Sequence, residues 1–300
     1  MSALRLEPLS THDAEAYWRL YISGRSDLPS TSLTDHLDRY LALSPEEQRT
    51  HFAFLRGDAI VGTVRIEIGA AESPGANLYG FAMGPEHVSL TKDAIVRAVD
   101  AAFARGASSI TSSFDERYEA AFAAAGFRRW FARMRMEAPI RTGPVESAVL
   151  LKPPEEPEVA LLARLFMDVY EGHMEQAFGI HVGPEEEWRG YVTGIFKGDA
   201  GRYLPSASFV GLEGKRIVGA LLATHWMGCP LVADLGVSKE WRRRGLGEAL
   251  LRSSMNRLAD LGEKRFALYT TLGNDPAISL YRRLGFEQAG AQTVTARLQM

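Results

Sequence analysis

The two halves of the chain repeat one order of landmarks. Three triplets in the first half have counterparts in the second at offsets of 157, 156 and 159 residues. The pairs are Ile60-Val61-Gly62 with Ile217-Val218-Gly219, Ala104-Arg105-Gly106 with Asp260-Leu261-Gly262, and Ala125-Gly126-Phe127 with Leu284-Gly285-Phe286. Nearly constant offsets at several places predict two diverged copies of one structural unit.

Apolar periodicity and turn residues predict the same order of strands and helices in each half. The first half is predicted to contain, in order, a strand at Leu4–Glu7, helices at Thr11–Tyr21 and Leu33–Leu43, strands at His51–Arg56, Ile60–Ile68 and Leu78–Met83, a helix at Thr91–Ala104, a strand at Ser108–Ser113, a helix at Glu116–Ala125 and a strand at Arg129–Met136. The second half is predicted to contain a strand at Ala148–Lys152, helices at Pro157–His173 and Pro184–Lys197, strands at Ser208–Leu212, Arg216–His225 and Leu231–Val237, a helix at Arg244–Leu261, a strand at Arg265–Thr270, a helix at Pro276–Leu284 and strand-like segments to Leu298. The predicted fold class is α+β, with two tandem units that each contain a mixed, largely antiparallel, twisted sheet flanked by helices.

A connector is predicted between the halves. The segment from Ala138 to Glu146 holds two prolines and a glycine between a strand-like stretch and a new apolar run. Such residues suit a connector better than the interior of an element. We therefore expect one domain at residues 1–140 and a second at 146–300.

Composition excludes several classes of protein. The chain has 34 Lys and Arg against 37 Asp and Glu, a formal net charge of −3, which argues against a generally basic nucleic-acid binder. A single cysteine, Cys229, rules out an internal disulfide and a four-cysteine zinc site, and no metal site is predicted. No apolar run reaches the roughly 20 residues that span a bilayer, and the first eight residues lack a signal-peptide stretch. We expect a cytoplasmic protein without nucleic-acid or membrane partners, and its oligomeric state is open.

The residues that indicate a chemical function follow the predicted strand that ends at Val237. The glycine loop, defined as Arg242-Arg243-Arg244-Gly245-Leu246-Gly247, opens an amphipathic helix. Small residues at a helix start let an anion approach unpaired backbone N–H groups, and the helix dipole favours negative charge there. The glycine loop therefore indicates a phosphate or pyrophosphate site, although three arginines by themselves are also typical of a solvated surface.

The segment resembles the GNAT superfamily of N-acetyltransferases, whose signature is Arg/Gln-x-x-Gly-x-Gly/Ala between the fourth strand and the third helix. The family's second signature is matched by Asn274-Asp-Pro-Ala-Ile-Ser-Leu-Tyr281-Arg-Arg-Leu-Gly285-Phe286. Two motifs in the right order give the resemblance its weight. The tandem layout is similar to that of mycothiol synthase-type proteins.

The resemblance implies an N-acetyltransferase that uses acetyl-coenzyme A (acetyl-CoA) as cosubstrate. The glycine loop would hold the pyrophosphate, and the backbone of Leu235 or Val237 would bind the pantetheine arm and polarise the thioester carbonyl. Tyr281 would protonate the departing thiolate, unless it only packs in the core. Asn274 is either a cofactor contact or a turn and helix-cap residue. The acceptor is expected to be a small-molecule or peptide amine that attacks the thioester directly.

The general base is less sharply indicated. Asp234, three residues before Val237, is the first candidate, and the others are Glu171, His173, Glu175 and His225. The acidic, aromatic stretch from Glu171 to Trp188 suits a cationic acceptor. It suits equally a solvated helix whose Trp188 and Tyr191 point inward.

The first half lacks these features. Ser89-Leu90-Thr91 aligns with the Gly245-Leu246-Gly247 part of the glycine loop, Phe122 with Tyr281, and Asp115 with Asn274. We expect a degenerate, structural first domain. The alternative for the whole chain is a non-catalytic acyl-CoA-binding or protein-interaction module.

Overall fold

The computed structural model describes residues 3–25, 33–69, 74–155 and 158–298. Contacts divide the chain into two units. The first runs to Met134 and also includes the segment from Ala289, and the second is Arg135–Gln288. Among the described residues, no helix has the length and apolar character needed to cross a bilayer.

The first unit is a mixed sheet with helices. Its strands are β1 (Leu4–Pro8), β2 (His51–Arg56), β3 (Ala59–Ile68), β4 (Gly75–Met83), β5 (Ser109–Asp115), the first part of β6 (Phe127–Pro139) and the C-terminal β14 (Thr293–Leu298). Its helices are α1 (Ala14–Ser23), α2 (Leu33–Ala42), α3 (Pro45–Gln48), α4 (Thr91–Ala104) and α5 (Glu119–Ala124). Neighbouring strands from β1 to β4 are antiparallel, β4 and β5 are parallel, and β14 lies antiparallel between β5 and β6.

The second unit repeats this order. Its strands are β7 (Leu150–Lys152), β8 (Arg202–Tyr203), β9 (Phe209–Glu213), β10 (Arg216–Trp226), β11 (Cys229–Val237), β12 (Arg265–Thr271) and β13 (Glu287–Gln288). Its helices are α6 (Val159–Tyr170), α7 (Glu185–Lys197), α8 (Leu246–Asp260) and α9 (Asp275–Arg283). β7, β9, β10 and β11 are joined in antiparallel pairs, and β11 and β12 are parallel.

The landmarks that reveal the repeat have the same conformation in both units. Gly106 follows α4 and Gly262 follows α8, both with left-handed φ, and each donates its N–H to the carbonyl three residues earlier. Gly126 and Gly285 are likewise left-handed, at the ends of α5 and α9. Residues with a side chain rarely adopt this φ, so glycine at these positions records a common way of ending a helix.

The predicted fold class is confirmed. The structure adds the short helix α3 and the short strand β8, and other differences lie at element ends. The helix predicted from Arg244 begins at Leu246, because Gly245, within the glycine loop, has a left-handed backbone and is the N-cap. The predicted helix start at Pro157 lies outside the described residues. The expected division into 1–140 and 146–300 differs from the observed contacts at the C-terminus, because β14 pairs with β5 and β6 and so belongs with the first unit.

A bulge in β11 sets the geometry of the second unit. Leu222 of β10 faces Asp234, and the next residue, Ala223, faces Val232, so that Ala233 is an extra residue in β11. The parallel pairing of β11 with β12 ends at the same place, with Leu231 beside Ala267 and Val232 beside Leu268. Since a bulge bends its strand and increases its twist, β11 parts from β12 beyond Val232.

Two glycines let α8 approach the sheet closely. A Cβ on Gly219 of β10 would lie 2.9 Å from Leu246 Cδ2, and one on Gly211 of β9 would lie 3.0 Å from Leu246 Cδ1. Leu246, only 3% exposed, therefore seats the first turn of α8 on glycine surfaces of two strands. This contact positions the glycine loop that precedes the helix.

Replacement of Gly219 with alanine should destabilise the protein. The added methyl group would overlap Leu246 and crowd Leu250, so we expect the free energy of unfolding to fall by about 1–3 kcal/mol in denaturant titrations. Gly190→Ala is the matched control. Gly190 lies on the exposed face of α7 with open space around it, and alanine there should leave stability unchanged or raise it by up to about 1 kcal/mol. Equal effects of the two substitutions would contradict the packing argument.

Candidate active site

Two backbone amides at the end of β11 point away from its antiparallel neighbour. The N–H of Ser238 donates to Val218 O of β10 over 2.9 Å. Because amides alternate in direction along a strand, Leu235 and Val237 direct their N–H groups to the side of β12. β12 is no longer paired there, so this edge of β11 is open.

The glycine loop presents a second set of amides. Arg243 and Gly245 both have left-handed backbones, with φ of 61° and 81°. None of the described residues accepts a hydrogen bond of ordinary length and angle from the N–H groups of residues 243–248. The first turn of α8 also has no side-chain cap. Successive free amides at a helix N-terminus are the kind of arrangement that can bind an anion. The phosphate or pyrophosphate site stays a prediction.

The three arginines of the glycine loop have different surroundings. Arg242 donates Nε to Val237 O over 3.1 Å and an Nη to Val169 O over 2.9 Å, so it ties the end of β11 to the end of α6. The guanidinium of Arg244 lies 5.1 Å from the ring centre of Trp241. Arg243 is exposed. The sequence predicts a contact with phosphate for all three, whereas Arg242 is engaged with backbone carbonyls.

Gly247 and the second motif lie against each other. A Cβ on Gly247 would be 3.2 Å from Leu280 of α9 and 3.7 Å from Val237. Tyr281, in the same helix, is 8% exposed and packs its ring 5.9 Å from that of Phe286. Asn274 immediately precedes α9, makes no side-chain cap, and has its amide nitrogen 3.3 Å from His173 Nε2.

Asp234 lies on the opposite face of β11 from Val237. Gly236, two residues further along, packs against Phe166 and Val169 of α6, and alternation puts Asp234 on that face. The Asp234 carboxylate accepts hydrogen bonds from the hydroxyls of Tyr170, at 3.0 Å, and Tyr191, at 2.9 Å. Its side chain is therefore buried but satisfied.

Burial raises the pKa of Asp234 above its usual value. Nearby His181, the hydroxyls of Tyr191 and Tyr170, and the backbone N–H of Leu235 partly offset that rise. Burial, together with the adjacent Asp234 charge, raises the pKa of Tyr170 well above the ordinary tyrosine value. The tyrosine therefore remains a hydrogen-bond donor throughout the physiological pH range.

The loop between α6 and α7 adds a second buried carboxylate. Glu175, 4% exposed, accepts a hydrogen bond from the Thr271 hydroxyl at the end of β12, and its other oxygen lies 2.8 Å from His181 Nδ1. The His181 ring stacks on Tyr170 at a centroid distance of 3.9 Å. We call the six residues Tyr170, Glu175, His181, Tyr191, Asp234 and Thr271 the polar cluster.

The other candidate bases lie elsewhere or are engaged. Exposed Glu171 pairs with Lys239 at 2.7 Å. His173 Nδ1 accepts the N–H of Glu175, and burial lowers the pKa of His173. His225 faces Pro230 in the β10–β11 pair, near the opposite end of β11 from Val237.

The reading of the acidic stretch as a solvated helix with inward aromatic rings describes the residues of α7, and its reading as a pocket for a cationic acceptor stays a prediction. Glu185 lies on the outer face of α7 and pairs with Arg164 and Arg189. Trp188 is 3% exposed and belongs to the core. Tyr191 points inward as well, but its hydroxyl reaches Asp234 instead of ending in an apolar environment.

Comparison with known proteins agrees with this geometry. Residues 166–286 match the model of the acetyltransferase (GNAT) family. This range holds the glycine loop, the open end of β11 and the second motif. The second unit contains a GNAT acetyltransferase domain.

Curated relatives include acetyltransferases of two kinds. A mycothiol acetyltransferase of Thermobifida fusca is 29% identical over 184 residues, which cover 55% of this chain and 56% of the relative. One from an Arthrobacter species is 37% identical over 86 residues, which cover 25% and 27%. An N-alpha-acetyltransferase 30 of Schizosaccharomyces pombe is 33% identical over 87 residues, covering 27% and 58%. Such matches cover between 25% and 58% of the relatives' own length, so the chain matches less than two thirds of each.

Solved structures extend the likeness to the whole chain. A GCN5-related N-acetyltransferase from Sphaerobacter thermophilus has a TM-score of 0.73 at 16% identity, and the match covers 98% of this chain and 95% of that one. A tandem GNAT protein from the clavulanic acid biosynthesis pathway has a TM-score of 0.69 at 14% identity, with 98% of both chains covered. The whole chain therefore has the fold of tandem GNAT proteins, as predicted.

The first unit fills the place that is open in the GNAT domain. β4 and β5 remain paired as far as Phe81 and Phe114. The amide of Met83, the counterpart of Val237, donates to the Tyr118 hydroxyl over 3.0 Å. Phe122, the counterpart of Tyr281, stacks on Phe114 at 3.8 Å.

In the segment of the first unit that corresponds to the glycine loop, backbone amides are hydrogen-bonded within the segment itself. Residues Pro85–Leu90 form a 3₁₀ helix that runs directly into α4. Its amides are bonded within the turn, His87 N–H to Gly84 O and Thr91 N–H to Val88 O. This segment therefore has no counterpart of the row of free amides in the GNAT domain.

Several residues of the site carry no sequence signal. Thr271 and Tyr170 come from element ends that the pattern predicts only as apolar, and His181 lies in a Gly- and Pro-containing loop. Gly211 and Gly219 look like ordinary strand glycines until Leu246 is placed on them. Of the polar cluster, the sequence indicates Asp234 and Glu175 as candidate bases, and the acidic and aromatic character of residues 171–188 marks the region that contributes His181.

Arg242 should contribute to stability as well as to charge. Arg242→Ala removes both hydrogen bonds to the carbonyls of Val237 and Val169, so we expect the free energy of unfolding to fall by about 1 kcal/mol, the low value reflecting the exposure of this side chain. Arg243→Ala, which removes the same charge without such bonds, is the control in parallel urea denaturation and should change stability less. A larger effect at Arg243 would reverse this assignment.

Proposed function

We propose that the second unit is an acetyl-CoA-dependent N-acetyltransferase. The observation that carries the proposal is the open edge of β11, where Val237 directs a free amide toward the gap beside β12. The row of free amides at the glycine loop lies a few residues further along the same chain. One ligand with a pyrophosphate at one end and an amide-containing arm leading to a thioester would satisfy both sets of donors.

The residues present fit acetyl-CoA. A pyrophosphate needs several N–H donors and close approach of the backbone, and Gly245 and Gly247 add no side chains in front of the amides of residues 243–248. Arg243 and Arg244 supply positive charge beside the loop. Asn274 is proposed to contact the same ligand, because its side chain makes no capping hydrogen bond to α9 and lies beside His173.

The amides of β11 would assist the reaction itself. An N–H of Leu235 or Val237 that donates to the thioester oxygen stabilises the negative charge that develops as an amine attacks. Tyr281 is proposed to protonate the sulfur that departs. The acetyl group then passes directly to the amine, without a covalent intermediate on the protein.

Asp234 is proposed to act on the acceptor side of β11. Its carboxylate faces α6 and α7, opposite the face on which Gly247 packs, so donor and acceptor would meet from two sides of one strand. Both of its oxygens already accept tyrosine hydroxyls. Its proposed role is therefore to attract and stabilise positive charge, which suits a cationic amine acceptor of small-molecule or peptide type.

The first unit is proposed to be structural and to bind no acetyl-CoA. The Tyr118 hydroxyl accepts a hydrogen bond from the N–H of Met83, the counterpart of Val237. The 3₁₀ helix at Pro85–Leu90 uses the amides that would hold a pyrophosphate. Phe122 has no hydroxyl at the position of Tyr281. At each position, a group that would face the ligand in the second unit is replaced in the first unit by a contact within that unit.

Calorimetric titration with acetyl-CoA tests both proposals. We expect one site per chain. Arg243→Glu should weaken binding by about tenfold or more, because a repulsive charge would face the phosphates. Arg97→Glu on the exposed face of α4, with the same change in net charge, should have no effect. Two sites would contradict the structural role of the first unit, and no binding would favour a protein-interaction module.

The substitution Tyr281→Phe tests the proposed role of Tyr281 in protonating the departing sulfur. With glucosamine, spermidine and glycinamide as trial amines, we expect kcat to fall by about 100-fold or more while the Kd of acetyl-CoA is unchanged. Tyr79→Phe, at an exposed tyrosine of β4, should leave both values unchanged. Undiminished turnover in Tyr281→Phe would remove this residue from the mechanism.

A further inference from the structure

A proton acceptor on the acceptor side must have a nitrogen or oxygen with a free lone pair near the end of β11. The candidate bases Asp234, Glu171, His173 and His225 either make other hydrogen bonds or ion pairs or lie far from this end of β11. Asp234 accepts from two tyrosines, Glu171 pairs with Lys239 at the surface, and the Nδ1 lone pair of His173 accepts a backbone N–H. His225 faces Pro230, near the other end of β11.

His181 has the required lone pair. Its Nδ1 lies 2.8 Å from Glu175 Oε2, and a carboxylate can only accept, so Nδ1 donates. A neutral imidazole with its proton on Nδ1 carries the lone pair on Nε2. None of the described residues is hydrogen-bonded to that nitrogen, and the side chain keeps 14% of its surface exposed.

The Glu175–His181 pair is attached to both strands that border the opening. Glu175 accepts from Thr271, the last residue of β12. His181 stacks on Tyr170, whose hydroxyl is bonded to Asp234 of β11, one residue before Leu235. The imidazole is therefore held relative to both β11 and β12 through side-chain contacts.

The backbone at His181 is held in a costly conformation. Its φ of 55° is left-handed, which is uncommon for a residue with a side chain. Gln176 braces the loop, since its side chain accepts from the Gly172 N–H and donates to His181 O over 3.2 Å. Strain of this kind persists where surrounding contacts enforce it, and it is concentrated at functional sites.

We propose that His181, oriented by Glu175, accepts the proton of the acceptor amine. This rests on the proposed acetyltransferase function. The amine nitrogen forms a bond to the acetyl carbon, the carbon–sulfur bond breaks, and the nitrogen's proton moves to Nε2 of His181. The sulfur leaves with the electron pair and is protonated in turn, and the imidazolium returns its proton to solvent.

The charges around the imidazole suit this role. The groups that face it are Glu175, the Asp234 carboxylate, and the hydroxyl-bearing rings of Tyr170 and Tyr191, with His173 nearby. Both carboxylates lie close to the ring that carries the transferred proton during the step. Glu175 and Gln176 are positioning residues, because they act through His181.

The first test needs neither acetyl-CoA nor an acceptor. In ¹⁵N NMR of the full-length protein at neutral pH, His181 should show a protonated Nδ1 and an unprotonated Nε2. Glu175→Gln should shift this tautomer balance, because an amide no longer requires Nδ1 to donate. A proton found on Nε2 in the unaltered protein would overturn the proposal.

The second test follows catalysis. For the trial amine that turns over, kcat/KM of the unaltered protein should rise with pH as one group loses its proton. His181→Gln should lower kcat/KM by about 100-fold or more and abolish that rise, while calorimetry gives the same Kd for acetyl-CoA. His225→Gln is the matched control and should leave rate, pH profile and affinity unchanged.

The outcomes separate the two proposals. A His181→Gln variant that keeps the full rate and its pH profile overturns the role of His181 and leaves the acetyltransferase proposal standing. Absence of acetyl-CoA binding by the unaltered protein overturns the proposed function itself. A variant that loses its affinity for acetyl-CoA together with its rate assigns His181 to the structure of the loop instead.

Discussion

One extra residue in one strand shapes the second unit. Ala233 has no partner of its own on β10, and β11 turns away from β12 at that residue. Beyond Val232 the two strands are no longer paired, so the outward N–H of Val237 has no strand partner. The polar cluster borders this opening, because its Asp234 lies on β11 and its Thr271 ends β12.

The two faces of β11 carry different chemistry because side chains alternate along a strand. Val237 and Gly247 meet on one face, where free amides and arginines favour an anion. Asp234 lies on the other face among aromatic rings. Burial of two carboxylates there is tolerated because every oxygen of Asp234 and Glu175 has a donor. The cluster therefore holds negative charge in a defined place without leaving a buried polar group unsatisfied.

The first unit has the same fold but fills the space that is open in the second. Its sheet order, its helix ends and the hydrogen bond from Gly84 N–H to Val61 O repeat those of the second unit. The difference lies in what fills the space between the parallel strands. Tyr118 satisfies the free amide of Met83, and stacked phenylalanine rings occupy the interior. A core that satisfies its own donors gains stability from contacts that would otherwise be made with a ligand.

The sequence by itself determined the repeat, the order of the elements, and the glycine loop, because local turn chemistry and periodicity reside in neighbouring residues. Gly262 is an example, since it follows α8 with the left-handed backbone that glycine adopts at a helix end. Only the tertiary structure decided that Arg242 binds carbonyls, that β14 joins the first unit, and that His181 lies against Glu175. Those contacts join segments whose pairing no local pattern specifies, and they depend on a bulge and on a loop held by side chains. Sequence spacing therefore predicted the glycine loop and its place before α8, whereas packing decided which side chains meet in the polar cluster.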